Sequence, residues 1–339
     1  MRVATVRDGQ ARRTRRYHRR GMVACIALCL TSCGTSASGR GWECLAPANA
    51  GGGWDLTCRA VGQVLAELGI APGAVRTTNL PGAGGGVAFA RTVAQRNEDP
   101  TLLVAASPST TLRLAQGQYG RLTEDDVLWV GALGAEYGVL AVSIDAPWRT
   151  LDDLLDTWRR DPASLVVAGG SAVAGQDHMK VLLLAHRAGI DPRRIRYVQF
   201  DGGGEAMTAL LGGFVQVFSG EGSELEGQVA AGRMRVLVVL SPERLSAGPL
   251  SSVPTARESG VDVTWVTWRG FYVPSGIGPE AYARWVDALR RVGESAAWEE
   301  ARRLHRLEPF FLLGDEFSTF VEQQVVDFRE MSRQIGLIQ

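Results

Sequence analysis

The chain has 339 residues, of which 45% are hydrophobic and 21% charged, and 36 basic side chains balance 36 acidic ones to a net charge of zero. This composition excludes a disordered or fibrous protein and suffices for two globular domains. The balance also argues against a nucleic-acid-binding protein, which needs clustered cationic surface.

The charge is divided unevenly along the chain. Residues 1–32 contain eight arginines and one acid, a net charge of +7, so the other 307 residues carry −7. Basic residues up to Arg20 precede an apolar run over 22–30, which is too short to span a bilayer. This order is typical of a secretory signal peptide.

The signal segment ends in Leu30-Thr31-Ser32-Cys33, which resembles the processing site of bacterial lipoproteins. We therefore expect cleavage before Cys33, lipid attachment to Cys33 and a short tether over 33–40, in a periplasmic protein held at a membrane by its lipid. The alternative is an ordinary signal peptide with an incidental cysteine.

Cys44 and Cys58 remain in the mature chain after this cleavage. A pair of cysteines in an oxidising compartment favours a disulfide, and two unpaired buried thiols are the alternative. A zinc site is weaker, because no further Cys or His stands at ligand spacing around either residue.

From Gly41 onward, apolar runs alternate with amphipathic stretches, which predicts an α/β fold with a mostly parallel sheet. Strands are predicted at 43–46, 75–79, 101–105, 128–133, 139–144, 165–168, 195–200, 215–218, 235–240 and 263–272. Helices are predicted at 55–68, 150–160, 176–188, 205–211, a stretch ending near 231, 279–292, 296–304 and 315–334. Thr150 and Asp153 predict a capping box at the start of one helix.

Two apolar segments, 142–147 and 263–272, are placed to cross between lobes. We therefore expect lobe 1 to comprise 41–142 and 269–339, and lobe 2 to comprise 143–268. Two strands would join the lobes.

Glycines concentrate where predicted strands turn into helices. The glycine loops are 50–55, 81–86, 169–175 and 202–204. Such turns let backbone N–H groups at a helix N-terminus approach an anion, and in open α/β sheets they lie at the ligand crevice. Each loop alone could be only a turn, but together they favour an anion-binding cleft.

The sequence motifs that are typical of catalytic sites are mostly absent or interrupted. Lys180 is the single lysine and follows Asp177-His178-Met179, so a P-loop is excluded. His178 and His186 are eight residues apart, too far for a metal-binding pair on one helix. Dinucleotide and nucleophile-elbow glycine patterns are interrupted by valines. We expect a binding protein with no catalytic residues, metal or cofactor.

Taken in order, the motifs resemble the periplasmic receptors of tripartite tricarboxylate transporters, also called the Bug family. The matching stretches are 46–59 (APANAGGGWDLTCR), 79–85 (NLPGAGG), 170–178, 197–205 (YVQFDGGGE), 211–213, 231–235 (AGRMR), 253–260 and 268–271 (WRGF). The likeness covers essentially the whole mature chain.

The resemblance implies a two-lobed periplasmic-binding-protein (Venus flytrap) fold, in which each lobe is a mixed sheet flanked by helices and two strands cross between lobes. It implies that this clamp closes on a small carboxylate held largely by backbone amides. The implied ligand-binding residues are Gly52, Gly53, Trp54, Asp55, Ser107, Thr110, Gly170, Ser171, Gly175 and His178.

The sequence departs from the family pattern in three places. Residues 172–174 (AVA) are more apolar than usual, the acidic segment after Val215 reads Phe218-Ser219-Gly220-Glu221, and the segment before Tyr197 has no clear match. These positions concern the far end of the ligand, which sets specificity.

The sequence thus predicts a monomeric, lipid-anchored receptor that captures a di- or tricarboxylate, with citrate as the first expectation, and delivers it to membrane permease subunits. A sensor subunit for a histidine kinase is one alternative. A periplasmic hydrolase that uses Ser171 and His178 is the other.

Overall fold

The computed structural model describes residues 41–246 and 248–339. The predicted signal peptide (1–32), the tether (33–40) and the lipid site at Cys33 lie outside these residues. The described strands are β1 (Glu43–Ala46), β2 (Arg76–Asn79), β3 (Leu102–Ala106), β4 (Val127–Ser143), β5 (Val166–Gly169), β6 (Arg196–Gln199), β7 (Val217–Glu221), β8 (Met234–Val239), β9 (Val266–Pro274) and β10 (Leu312–Leu313).

The described helices follow the strands in an α/β order, as the sequence predicts. They are α1 (Gly53–Glu67), α2 (Gly86–Gln95), α3 (Pro108–Ala115), α4 (Leu151–Arg160), α5 (Gln176–Arg187), α6 (Gly203–Leu211), α7 (Gly222–Ala230), α8 (Pro279–Gly293), α9 (Ala296–Leu304) and α10 (Gly314–Gln334). Thr150 caps α4 in the predicted capping box with Asp153.

The sheet is mixed, and the expectation of a mostly parallel sheet is wrong at its centre. β1 is parallel to β2 and β3, and β5 is parallel to β6 and β7, as βα units require. Between these two groups, β9 is antiparallel to β3 and β4, and β4 is antiparallel to β7 and β8. The parallel strands therefore form two groups joined by antiparallel strands.

β4 replaces the two separate strands predicted at 128–133 and 139–144. Its residues up to Tyr137 pair with β9, and its residues from Gly138 onward pair with β7 and β8. The strand thus changes partners between Tyr137 and Gly138. The division into lobes at 142/143 and 268/269 stays a prediction.

Opposite faces of β9 pack in different cores. Trp268 and Tyr272 pack with α10, whereas Phe271 and Val273 pack with α1 and α8. Because side chains alternate along a strand, Arg269 lies on the same face as Phe271, towards α1. This register places a cation beside the first glycine loop.

Cys44 of β1 and Cys58 of α1 form the predicted disulfide, with a Cα–Cα distance of 5.5 Å. Both residues are buried. The bond therefore ties α1 to the sheet immediately behind the first glycine loop.

We expect replacement of both cysteines by alanine to lower the free energy of unfolding by about 3 kcal/mol, because the bond closes a loop with a sequence separation of 14. Urea unfolding of the variant and of the oxidised protein measures the difference. Labelling of two thiols in the denatured, unreduced protein would contradict the bond itself.

Candidate functional site

A cavity of about 340 Å³ lies where the start of α1, strands β4 and β9, the β7–α7 junction and the first residue of α5 meet. Its lining residues are Gly51, Gly53, Leu56, Thr57, Ala60, Glu136, Gln176, Glu221, Ser223, Glu224, Arg269, Trp298, His305 and Leu307. Three larger pockets, of about 390, 550 and 730 Å³, contain no residue of the loops 50–55 or 169–175 among the described residues, although the one of 730 Å³ shares Glu136, Ser223 and Leu307 with this cavity. The smaller cavity is therefore the one that the first glycine loop reaches, through Gly51 and Gly53.

The first glycine loop presents the open N-terminus of α1 to this cavity. Gly52 is the N-cap and offers no side-chain hydrogen bond to the first turn. The backbone N–H groups of that turn have no intrahelical acceptors, and the helix dipole adds partial positive charge there. Gly53, in this turn, lines the cavity. The position is suited to an anion.

Asp55 supports this loop from behind. Its carboxylate accepts hydrogen bonds from the Gly51 backbone N–H at 2.8 Å, from Asn79 Nδ2 at 2.9 Å and from Arg59 Nε at 2.9 Å. The Arg59 hydrogen bond is the main cause that lowers the Asp55 pKa to about 2. Asp55 is therefore ionised and fully occupied within the loop, where it fixes the open amides in place.

Arg269 completes the anion-binding wall. Its Nε donates to Glu136 Oε1 at 3.2 Å, and its Nη2 donates to the same oxygen. A Cβ added at Gly53 would lie 2.7 Å from Arg269 Nη1, so only glycine lets the guanidinium lie against the first turn of α1. A cation and open helix amides thus meet at one edge of the cavity.

The loop before α5 is held by its own side chains. Ser171 Oγ accepts a hydrogen bond from the Asp177 backbone N–H at 2.9 Å, and Tyr197 Oη donates to the Ser171 carbonyl at 2.7 Å. His178 stacks on Tyr197, and its Nδ1 accepts from the Ala174 N–H at 3.1 Å. Burial lowers the His178 pKa to about 4, so the imidazole is neutral at pH 7.

These contacts weigh against the hydrolase alternative. A nucleophilic serine donates its proton to an adjacent base, whereas here the Ser171 hydroxyl caps α5 and the His178 ring fixes Ala174. Ala174 has a φ of +62°, a strained angle for alanine, and Gln116, the C-cap residue of α3, donates to its carbonyl at 3.0 Å. The Ser171 and His178 side chains therefore hold the loop in place, and their contact with a ligand stays a prediction.

Gly53 is the predicted ligand-binding residue that lines the cavity. Ser107 caps α3 by accepting from the Ser109 N–H at 3.3 Å, and Thr110 is buried behind it. Gly170 packs against the loop before α6, where a Cβ would lie 2.5 Å from Gly203 N. Gly52 and Trp54 flank Gly53 in the first loop, and Gly175 is the N-cap of α5. Their contacts with a ligand stay predictions.

Behind the cavity, Lys180 is fully buried in a cluster of charges that the sequence did not reveal. Its Nζ donates to Asp177 Oδ1 at 2.9 Å, to the Gly220 carbonyl at 3.1 Å and to Glu221 Oε1 at 2.6 Å. Gly138 has no side chain, and a Cβ there would lie 2.8 Å from Lys180 Cδ. Because Gly138 of β4 leaves this space free, the Lys180 side chain passes the strand and reaches the carboxylates of Asp177 and Glu221.

The two glutamates of the β7–α7 junction are shifted towards their protonated forms. Burial is the main cause that raises the pKa of Glu221, against the opposing effect of Lys180. The Glu224 side chain lines the cavity, and its carboxyl group also lies against Gly203 and Gly220. This enclosure, with the charges of Asp177 and Glu221, raises the Glu224 pKa to about 7.

Among the described residues, no group of three His, Cys, Asp or Glu side chains is placed to hold a metal ion. No helix within 41–246 or 248–339 combines the length and apolar character needed to cross a membrane.

Comparisons with known proteins identify the family and the fold. The family model of the tripartite tricarboxylate transporter family receptor matches residues 64–337. BugT of Bordetella pertussis is 24% identical over 298 residues, which cover 87% of this chain and 89% of BugT. A solved R. palustris structure with adipate has a TM-score of 0.76 at 20% identity and covers 88% of this chain and 98% of its own.

MatC from Rhodopseudomonas palustris with bound malate has a TM-score of 0.70 at 20% identity, over 86% of this chain and 98% of MatC. At such identities the likeness shows the fold, and the predicted α/β fold of periplasmic binding proteins is confirmed. The family model spans most of the 339-residue chain. The chain therefore belongs to the receptors of the tripartite tricarboxylate transporter family.

Proposed function

We propose that this receptor captures a small carboxylate in the cavity at the start of α1 and delivers it to the membrane permease subunits of a tripartite transporter. The protein acts in the periplasm as a monomer, held by lipid on Cys33, and requires no cofactor. Its two lobes, 41–142 with 269–339 and 143–268, close on the ligand as hinged receptors do.

The observation that carries this proposal is the meeting of Arg269 with the uncapped first turn of α1 at one cavity wall. A carboxylate there accepts hydrogen bonds from backbone N–H groups and from a guanidinium, which are the strong, charge-assisted kind. The −7 charge of residues 33–339 acts from farther away and is screened over about 8 Å, so local donors dominate.

The solved relatives support a carboxylate ligand. Their structures contain adipate and malate, which are both dicarboxylates. A cavity of about 340 Å³ is near the lower end for small-molecule sites and fits a ligand of this size. Di- and tricarboxylates, citrate included, are therefore the first ligands to test.

We expect a carboxylate ligand at 100 times its Kd to raise the free energy of unfolding by about 2.7 kcal/mol. Thermal unfolding of the purified protein with citrate, tricarballylate, succinate, glutamate and aromatic acids measures this gain. The uncharged amides of the same acids serve as controls. If no acid in the panel shifts the unfolding temperature, the carboxylate proposal fails.

A further inference from the structure

The wall of the cavity formed by the β7–α7 junction and the start of α5 differs in charge from the wall at α1. It presents Glu221, Glu224 and Gln176. We infer that this wall binds a primary ammonium group, so that the receptor selects a small amino carboxylate over the acid without the amine. This inference rests on the proposed carboxylate function and adds the class of substrate.

Two acceptor oxygens of this wall are buried without a hydrogen-bond partner in the described residues. They are Glu221 Oε2 and Gln176 Oε1. Glu221 is 4% exposed, and its other oxygen already accepts from Lys180 at 2.6 Å and from Thr267 Oγ1 at 2.9 Å. A buried acceptor left unpaired is costly, and more so when it carries charge. The bound state is therefore expected to supply donors here.

The chemistry of the missing donor follows from the acceptors. Both atoms are oxygens that accept, and the Glu224 carboxylate adds accessible acceptors in the same cavity. An ammonium group carries three N–H donors and a positive charge, so it can serve several of these oxygens at once. A carboxylate or a ketone supplies no donor and would leave them unpaired.

The local charge balance also favours a cationic group. Four acidic side chains, those of Glu136, Asp177, Glu221 and Glu224, surround two cations, Lys180 and Arg269, and burial together with this crowding of acids raises the pKa of Glu221 and of Glu224. A dianionic ligand would bring further negative charge into this acidic, partly desolvated space, where charge repulsion is strong. An ammonium group on the ligand offsets one of its negative charges, so aspartate brings less negative charge than succinate. The carboxylate of an amino carboxylate can pair with Arg269 while its ammonium meets the glutamates.

Of the residues at this wall, the sequence marks only Glu221, as the end of the departure from the family pattern at 218–221. The structure gives this position a role, because Glu221 ends β7 and is the N-cap residue of α7 at the cavity. The backbone N–H of Glu221 donates to Glu224 at 3.0 Å, which holds the two carboxyl groups on one turn. We therefore assign Glu221, Glu224 and Gln176 as specificity-determining residues.

Matched ligand pairs test this assignment. Titration calorimetry with succinate and aspartate, and with glutarate and glutamate, gives the Kd of each acid with and without its amine. We expect the amine-bearing member of at least one pair to bind tenfold or more tightly to the native protein. Glu221→Gln should reduce that preference at least fivefold, because it removes the charge that faces the ammonium.

Two further variants keep the inference testable if Glu221→Gln unfolds because Lys180 loses its charged partner. Gln176→Met leaves the lysine cluster intact and should lower the amine preference several-fold. Glu322→Gln, an exposed acid on α10, is the matched control and should leave every Kd unchanged within twofold. Circular dichroism checks that each variant is folded.

The outcomes separate the inference from the function on which it rests. If both members of every pair bind equally, the ammonium subsite is wrong and the carboxylate function stands. If no member of any pair binds, and the wider acid panel also fails, the proposed function is wrong. A rise in unfolding temperature with Na⁺ or Ca²⁺ alone, lost in Glu221→Gln, would assign the wall to an inorganic cation instead and overturn the inference.

Discussion

Lys180→Met is expected to lower the free energy of unfolding by about 3 to 5 kcal/mol. The substitution removes the cation that lies 2.9 Å from Asp177 and 2.6 Å from Glu221, while both carboxylates stay buried. Methionine has a similar length and fills the space beside Gly138. The loss of unfolding free energy is therefore caused by the missing charge and not by a cavity. Urea unfolding at pH 7.5 measures it.

The pH dependence of the loss has a defined sign. Lys180 lowers the pKa of Glu221, so its removal raises that pKa further above the ordinary value of 4.5. The folded variant then keeps a proton that the unfolded chain releases above that value, and folded stability falls as the pH rises. The deficit of Lys180→Met should therefore be smaller at pH 5 than at pH 8.

An exposed ion pair supplies the control. Arg159 and Asp156 on α4 pair at 2.8 Å with side chains 49% and 66% exposed, and Arg159→Met should cost less than about 1 kcal/mol. Adding Glu221→Gln to Lys180→Met should recover part of the loss, since it removes one unpaired charge. A loss for Lys180→Met as small as that of the control, or equal at the two pH values, would disprove the electrostatic account.

Most of the order of strands and helices could be predicted because it depends on local periodicity, although no bounds were predicted for α2 or α3. The apolar repeat at 55–68 is helical at α1, and the run at 43–46 is β1. β4 was predicted as two strands because Gly134 to Gly138 interrupts its apolar pattern. In the structure the strand continues through that segment, with register shifts before Gly131 and Gly134, because β9 pairs along it. Such pairing is not encoded locally.

In the site, too, features with a local sequence signal could be predicted, whereas contacts between distant residues could not. The open start of α1 follows from a local signal, the glycines before a helical repeat. Arg269 lies in the WRGF stretch at 268–271, but its hydrogen bond with Glu136 joins residues 133 apart in the sequence. The hydrogen bond between Lys180 and Glu221 joins residues 41 apart. A single arginine in an apolar strand, and the single lysine of the chain, were the signals that could have drawn attention to both.

Arg269→Gln in a Glu136→Gln background is expected to weaken carboxylate binding about 100-fold. Removal of both members of the ion pair avoids leaving Glu136 as an unpaired carboxylate, so the fold is less disturbed than by Arg269→Gln alone. The ligand carboxylate loses charge-assisted hydrogen bonds that contribute about 1.5 to 3 kcal/mol. It also faces Glu221 and Glu224 without a nearby cation on the α1 wall.

Two single variants separate this effect from general charge. Arg284→Gln, an exposed arginine on α8, removes the same charge farther away and should change Kd less than twofold, because screening weakens distant charges. Glu136→Gln alone keeps the guanidinium and should bind the carboxylate as tightly as the native protein or more tightly, since Arg269 is then free of its partner. Calorimetric Kd values for the four proteins decide the question. If the double variant binds within threefold of the native protein while remaining folded, Arg269 does not hold the carboxylate, and the helix amides alone must carry the binding energy.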